Sequence, residues 1–360
     1  MVVRALKIRP TRRSGCAIVL FCACVMPPIA VGQTVIQSGD DVEWVAEDAS
    51  GSQTDRSDDH VIEIVKAPGP EKVIGSDDRE NVDDTTVYPW RTIGEIVGEF
   101  PSSDGTTLLR RGTGVLIGTK TVLTCAHVLV KDQQWGENTT FTPGKDGSDE
   151  PYGRINVARQ KVKSGYWNEE DSNYDIALIV LADAIGEQTD YMRIEIKPTS
   201  FFDNAGLNIA GYPVDLGNSQ KLYHAFGHSD GVYGNLIRHD ADTESGQSGS
   251  PVWTYNEGEN ERRLVGVHIS GGESYNYAIR ITDSFFEWIN DTLKEYDSIH
   301  YTTPPGSSDD GGSGGNVGTT GGQGTGPVPG LGCPSAGALA FMALTVLASG
   351  VIRSVKRTRG

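Results

Sequence analysis

The sequence predicts an all-β domain closed by one C-terminal helix. Short apolar runs recur between Gly, Pro, Asn and Asp: GVLIG from Gly114, INVARQKV from Ile155, DIALIVLA from Asp175, LNIAGY from Leu207 and RLVGVHIS from Arg263. Runs this short and evenly spaced indicate a sandwich or a barrel. A helical period appears once near the end, where Phe285, Phe286, Ile289 and Leu293 follow Ser284 and Glu287 at capping-box spacing. Of the five cysteines only Cys125 falls inside this region, so the domain forms no internal disulfide and relies on core burial. No internal sequence repeat is visible.

The segments around it follow in chain order. Arg4, Lys7, Arg9, Arg12 and Arg13 precede an uncharged stretch, Ala17 to Ala30, and the small residues Ala30, Val31 and Gly32. Residues 1–32 therefore read as a secretory signal, with an uncleaved N-terminal anchor as the alternative. Residues 33–72 are polar and acid-rich, with one apolar patch from Val61 to Val65, and are expected to be a loosely ordered pro-segment. The domain proper spans 73–300. Residues 301–330, rich in Gly, Ser, Thr and Pro, form a flexible linker. Within 331–360, Cys333 to Ile352 carries no charge and is followed by Arg353, Lys356, Arg357 and Arg359. That pattern predicts a single transmembrane or sorting segment with its basic end in the cytoplasm. The layout resembles the C-terminal sorting signals of exported bacterial proteins, with Cys333 left as a processing or lipidation point. The chain is expected outside the cytoplasm, at the surface or in the periplasm, tethered through the tail unless it is processed.

Charge narrows the partners. The formal net charge is −17, and setting aside the nine basic residues at the two ends leaves the body near −26. A body this acidic excludes nucleic acid as a partner. His224 and His228 lie in a β pattern with Gly227 between them, and acidic clusters such as Asp83 and Asp84 lack calcium-loop spacing. No metal or other cofactor is implied.

A serine hydroxyl attacks only with a base beside it, and the base, a histidine, is held in one tautomer by a buried carboxylate. His127 in TVLTCAHVL, Asp175 in NYDIALIVL and Ser248 in TESGQSGSPVW supply these groups in the order His, Asp, Ser. An α/β-hydrolase would need Ser first and Gly at 250, where Ser250 stands. The small residues around Ser248 let the turn aim the N–H groups of Gly246 and Ser248 at one point, an oxyanion hole.

TCAHVL, YDIALIVL and GQSGSPVW resemble the catalytic motifs of trypsin-like serine peptidases, and the details are most similar to the bacterial glutamyl endopeptidases. The stretch VIGSDDRENVDDTTVYPWRTIGEI, from Val73, resembles the start of the mature enzymes in that group. The resemblance covers Val73 to Tyr296. It implies two packed six-stranded β-barrels, divided near residue 190, with the active site in the cleft between them. It also implies activation by a processing protease at Lys72–Val73, and a pocket for a substrate Glu built from Thr243, His268 and Ser270. The expected activity is a surface-tethered serine endopeptidase acting on proteins or peptides after Glu, Asp being the other candidate. Two alternatives stay open: a serine protease of different preference, and an inactive, surface-displayed binding module on the same scaffold.

Overall fold

The computed structural model describes residues 33–46, 61–63, 69, 71–102, 105–256, 261–299 and 301. The expected signal, most of the linker and the whole apolar tail lie outside the described residues. Among the described residues no helix is long and apolar enough to cross a membrane.

Two closed barrels form the body. The first has β1 (Ile93–Pro101), β2 (Thr107–Leu116), β3 (Thr121–Thr124), β4 (Glu137–Pro143), β5 (Ile155–Lys163) and β6 (Ala177–Leu181). They pair in the order β1-β2-β3-β6-β5-β4, with β4 returning to β1. The second has β7 (Gly206–Gly211), β8 (Tyr223–Tyr233), β9 (Leu236–His239), β10 (Pro251–Asn256), β11 (Glu261–Gly271) and β12 (Asn276–Arg280). Its order, β7-β8-β9-β12-β11-β10 and back to β7, repeats the first. Where the sequence shows no repeat, the strand pairing shows one. Closure leaves few free sheet edges, and the apolar runs fill the two interiors.

The C-terminal helix runs Asp283–Tyr296 and buries Phe285, Phe286, Ile289 and Leu293, as the period predicts. Its cap differs from the expectation on Ser284. Thr282 is the N-cap, and its side chain accepts the Phe285 N–H, so the helix starts earlier. The capping-box rule found the right turn and the wrong hydroxyl, because Thr282 has the extended backbone that an N-cap needs.

The segment before the domain departs from the loose order expected of it. Gln33–Ser38 and Asp41–Ala46 form a hairpin whose second strand adds to β5. Val61–Glu63 lies parallel to β2. β5 is long enough to serve two neighbours on one side: Ile155 and Asn156 pair with β4, while Arg159 to Lys163 pair with the hairpin. Val42 and Trp44 carry their side chains into the first barrel's core. An acid-rich composition concealed this because only these two large apolar side chains anchor the hairpin. Trp44→Ala should destabilise the uncleaved chain by about 3 kcal/mol, the usual cost of emptying a buried Trp site. Thermal unfolding of the full chain checks it, and an unchanged midpoint would mean the hairpin contributes nothing.

Candidate active site

β3 and β6 are neighbours, with Thr124 opposite Ala177. The residues just beyond this ladder therefore meet. After β3, Cys125 enters a single helical turn, Ala126–Leu129, in which all four side chains are buried. Before β6, the turn Ser172–Tyr174 delivers Asp175, which is fully buried. A carboxylate there is tolerated only if donors reach it. His127 gives two: its backbone N–H to Oδ1 at 2.9 Å, and its ring Nδ1 to Oδ2 at 2.6 Å. A carboxylate beside Nδ1 selects the tautomer with the proton there and leaves Nε2 able to accept one. The Arg110 guanidinium donates to the His127 carbonyl at 3.0 Å and fixes the turn from β2.

Cys125 Sγ lies 3.7 Å from His127 Nε2, and the donor atoms of Cys125, His127 and Asp175 all lie within 4.8 Å of one another. Burial, and then the charge of Asp175, raise the Cys125 thiol well above its ordinary range. It stays protonated, which makes it neither a nucleophile nor a good metal ligand.

The Ser248 turn is tied to both barrels. Gln247 N–H donates to the Glu244 carbonyl, and Ser250 N–H to that of Gln247. Thr113 of β2 donates its N–H to the Ser248 carbonyl at 2.8 Å and its hydroxyl to the Gly246 carbonyl at 2.9 Å. With that carbonyl held by Thr113, the orientation of the peptide unit following Gly246 is fixed. On the other side, Gly249 N–H donates to the His268 carbonyl, and His268 N–H to that of Ser250. Gly249 has φ +86°, and a Cβ there would lie 2.1 Å from the Thr113 carbonyl oxygen and 2.2 Å from Thr124 Oγ1. Gly249→Ala should cost about 3 kcal/mol or more, as strained backbone and a clash with fixed atoms combine. A melting curve like that of the parent would refute this.

Behind the turn, β11 presents His268, fully buried, and His239 of β9 packs edge-on against its ring at a centroid distance of 5.5 Å. Burial, and then the nearby His127, push His268 down to about 3. Burial and His268 hold His239 well below its ordinary value. Both rings are therefore neutral, so His268 is a hydrogen-bonding group here rather than a cation. Thr243 Oγ1 and both ring nitrogens of His268 are buried without a hydrogen-bond partner among the described residues. Ser270 is buried two positions further along β11, and no hydrogen bond carries it to Ser248 or His268 among the described residues.

A residue outside the expected site completes it. Glu71, almost wholly buried, accepts the Ser248 hydroxyl at 2.6 Å on Oε1, and the same oxygen lies 3.3 Å from His268 Nε2. Next to it the Lys72 carbonyl accepts from Thr243 N–H at 3.3 Å and from Asn276 Nδ2 at 2.8 Å. Glu71 and Lys72 thus form a strap that joins Ser248, His268 and Thr243 through two consecutive residues. Beyond Val73, the Ile74 and Asp78 N–H groups both donate to the Asp242 carboxylate. The Ser248 hydroxyl is bonded to Glu71 and not to His127. Burial pushes the Glu71 carboxyl up to about 8, against a smaller lowering by the Ser248 hydrogen bond. Glu71 and His268 therefore meet as neutral groups. Glu71 escaped the sequence reading although it stands directly before Lys72. His239 and Asn276 escaped because only the folded sheet brings them behind the turn.

The trypsin-like peptidase domain family matches residues 112–267. A glutamyl endopeptidase of Bacillus licheniformis is 34% identical over 231 residues, spanning 62% of this chain and 69% of that protein. A Bacillus subtilis protein named as an extracellular metalloprotease is 27% identical over 232 residues, 61% of this chain and 71% of its own length. Among solved structures, a Glu endopeptidase in complex with MPD superposes with a TM-score of 0.53 at 28% identity, covering 61% of this chain and 98% of that one. The shared barrels and the extent of the match to the Bacillus licheniformis enzyme lead to one assignment: the chain belongs to the trypsin-like serine peptidases and is a serine endopeptidase related to the glutamyl endopeptidases.

Proposed function

We propose that the chain hydrolyses peptide bonds after Glu by an acyl-enzyme route. Ser248 attacks the scissile carbonyl, and His127 takes its proton and passes it to the leaving amine. Asp175 holds the imidazole, and the Gly246 and Ser248 N–H groups receive the oxyanion. Water then hydrolyses the ester, His127 acting as base. The observation that carries the Glu preference is a pair of buried groups beside the nucleophile: Thr243 Oγ1 has no hydrogen-bond partner among the described residues, and His268 Nε2 has a glutamate carboxyl of the chain itself 3.3 Å away. Buried donors of this kind favour a side chain that accepts from them and penalise one that cannot.

Export by residues 1–32, removal of residues 33–72 by a processing protease cutting at Lys72–Val73, and retention at a membrane by the tail complete the proposal. The exposure of Lys72 supports the cut, and the likeness to an extracellular Bacillus subtilis protein supports action outside the cell. Freed by that cut, the Val73 amine would begin one residue before the Ile74 N–H that Asp242 accepts. The test uses the full chain cut after Lys72, beside a Ser248→Ala control, on peptides differing only in Glu, Gln, Asp, Lys or Phe before the scissile bond. Glu should lead by a large factor with the control silent. Equal rates on Glu and Gln would overturn the pocket assignment.

A further inference from the structure

We infer that Glu71 is an internal inhibitor of the uncleaved chain: its carboxyl occupies the place of a substrate's reacting group against Ser248 and His268, and cutting after Lys72 is what lets it leave. The inference rests on the reading of Ser248 as nucleophile.

The geometry makes the strap an occupant rather than a substrate. Gly69 offers its carbonyl to the Gly271 N–H at the end of β11, at 3.4 Å. Lys72 is held by its backbone N–H on Asn276 Oδ1 at 3.2 Å, by its carbonyl on Asn276 and Thr243, and by Nζ on the Glu273 carbonyl at 2.6 Å. Anchored on both sides, Glu71 turns its side chain toward the nucleophile. The atom facing the Ser248 hydroxyl is a carboxyl oxygen, which has no amine to expel. The Lys72 carbonyl on the far side is held by Thr243 and Asn276, which fixes the strap in place. Meanwhile the Ser248 proton is engaged by Glu71, so His127 has no hydroxyl to activate. A glutamate suits the task because one of its carboxyl oxygens reaches the Ser248 hydroxyl and His268 together.

Burial without a charge makes the fit affordable. The groups facing the carboxyl are Ser248 and Glu244 on the nucleophile turn, His268 on β11, His127 on its helical turn and Arg79 beyond the strap. The docked carboxyl is protonated up to about pH 8, against an ordinary value of 4.5. A raised value of this kind stabilises docking fully below the ordinary pKa and loses that stabilisation as pH rises toward the docked one. The strap is therefore tightest in acid and loosens through neutrality. A cut at Lys72–Val73 severs the strap from the Ile74 anchor, so that only the hydrogen bonds of Gly69, Glu71 and Lys72 themselves hold it.

The experiment compares labelling of Ser248 by a fluorophosphonate in the full chain before and after cutting with a lysine-directed endopeptidase. The uncut chain should label roughly 100-fold more slowly, because the competent state is a small fraction of the population. The uncut-to-cut ratio should rise from pH 5 to pH 8. Uncut Glu71→Ala should recover at least about tenfold, while Glu71→Gln, equal in size and neutral, should stay slow and lose the pH dependence. If Glu71→Ala does not fold, a synthetic peptide of residues 67–72 added to the cut chain should slow labelling, and its Ala-for-Glu version should not. Equal labelling of uncut and cut chains, a folded Glu71→Ala as slow as its parent, or equal inhibition by both peptides would overturn the inference while leaving the peptidase reading intact. An unlabelled cut chain would overturn both.

Discussion

Asp175→Asn lowers kcat by about four orders of magnitude in the cut chain, with KM for a Glu peptide nearly unchanged. The Asp175 carboxylate accepts both the His127 backbone N–H and ring Nδ1. An amide of the same shape keeps one acceptor for the backbone and turns an NH2 toward the ring. The imidazole must then accept at Nδ1, so its proton moves to Nε2, where the base is needed. Substrate contacts lie elsewhere, so binding survives. Steady-state kinetics beside a melting curve separate this from misfolding. Activity within tenfold of the parent, on a folded protein, would remove Asp175 from the mechanism.

His268→Leu is expected to have the second largest effect, and on a different quantity. The ring is fully buried, and the side chain within hydrogen-bonding reach of its Nε2 is Glu71, which the proposed cut releases. A bound Glu, however, would lose the donor that distinguishes it from an apolar side chain. The ratio of kcat/KM for Glu over Phe peptides should fall by roughly 10³, short of the full discrimination of about 10⁴–10⁵ for pockets that hydrogen-bond their substrate, because Thr243 remains. Activity on Phe peptides should change little. Loss of both activities together would make His268 a structural residue, supporting the Ser248 turn through its own backbone bonds.

How much of this was legible in the sequence depends on the distance over which each feature is encoded. β5 and the C-terminal helix were visible almost to the residue, because apolar periodicity is local. His127, Asp175 and Ser248 were visible as a set: each alone has a structural explanation, but the three occur in the order His, Asp, Ser at strand ends and in a turn of small residues. The repeated barrel topology was invisible, since pairing order leaves no trace in a strand's own composition. The hairpin at Gln33–Ala46 was missed for a related reason: its stability comes from β5, more than a hundred residues away. Glu71 was overlooked because a single glutamate in a polar segment looks solvated, and only the fold reveals that it is buried against Ser248.

The hairpin on β5 has a consequence for the released domain's behaviour in solution. Cutting one bond after Lys72 leaves five residue pairs between the hairpin and β5 in place, so scission and departure are separate events. When the hairpin does depart, the backbone from Arg159 to Lys163 becomes an open edge, a template on which a second molecule could add. That stretch presents Arg159, Lys161 and Lys163 on one face, alternating with the buried Gln160 and Val162. In the uncut chain Arg159 and Lys163 are matched by Glu43 and Asp41 of the hairpin. Once unmatched, they oppose the same cations on any approaching copy, which is how natural sheets discourage edge-to-edge aggregation. Under the proposed processing, the residues that hold the hairpin in the uncut chain would thus become the ones that guard the edge it leaves.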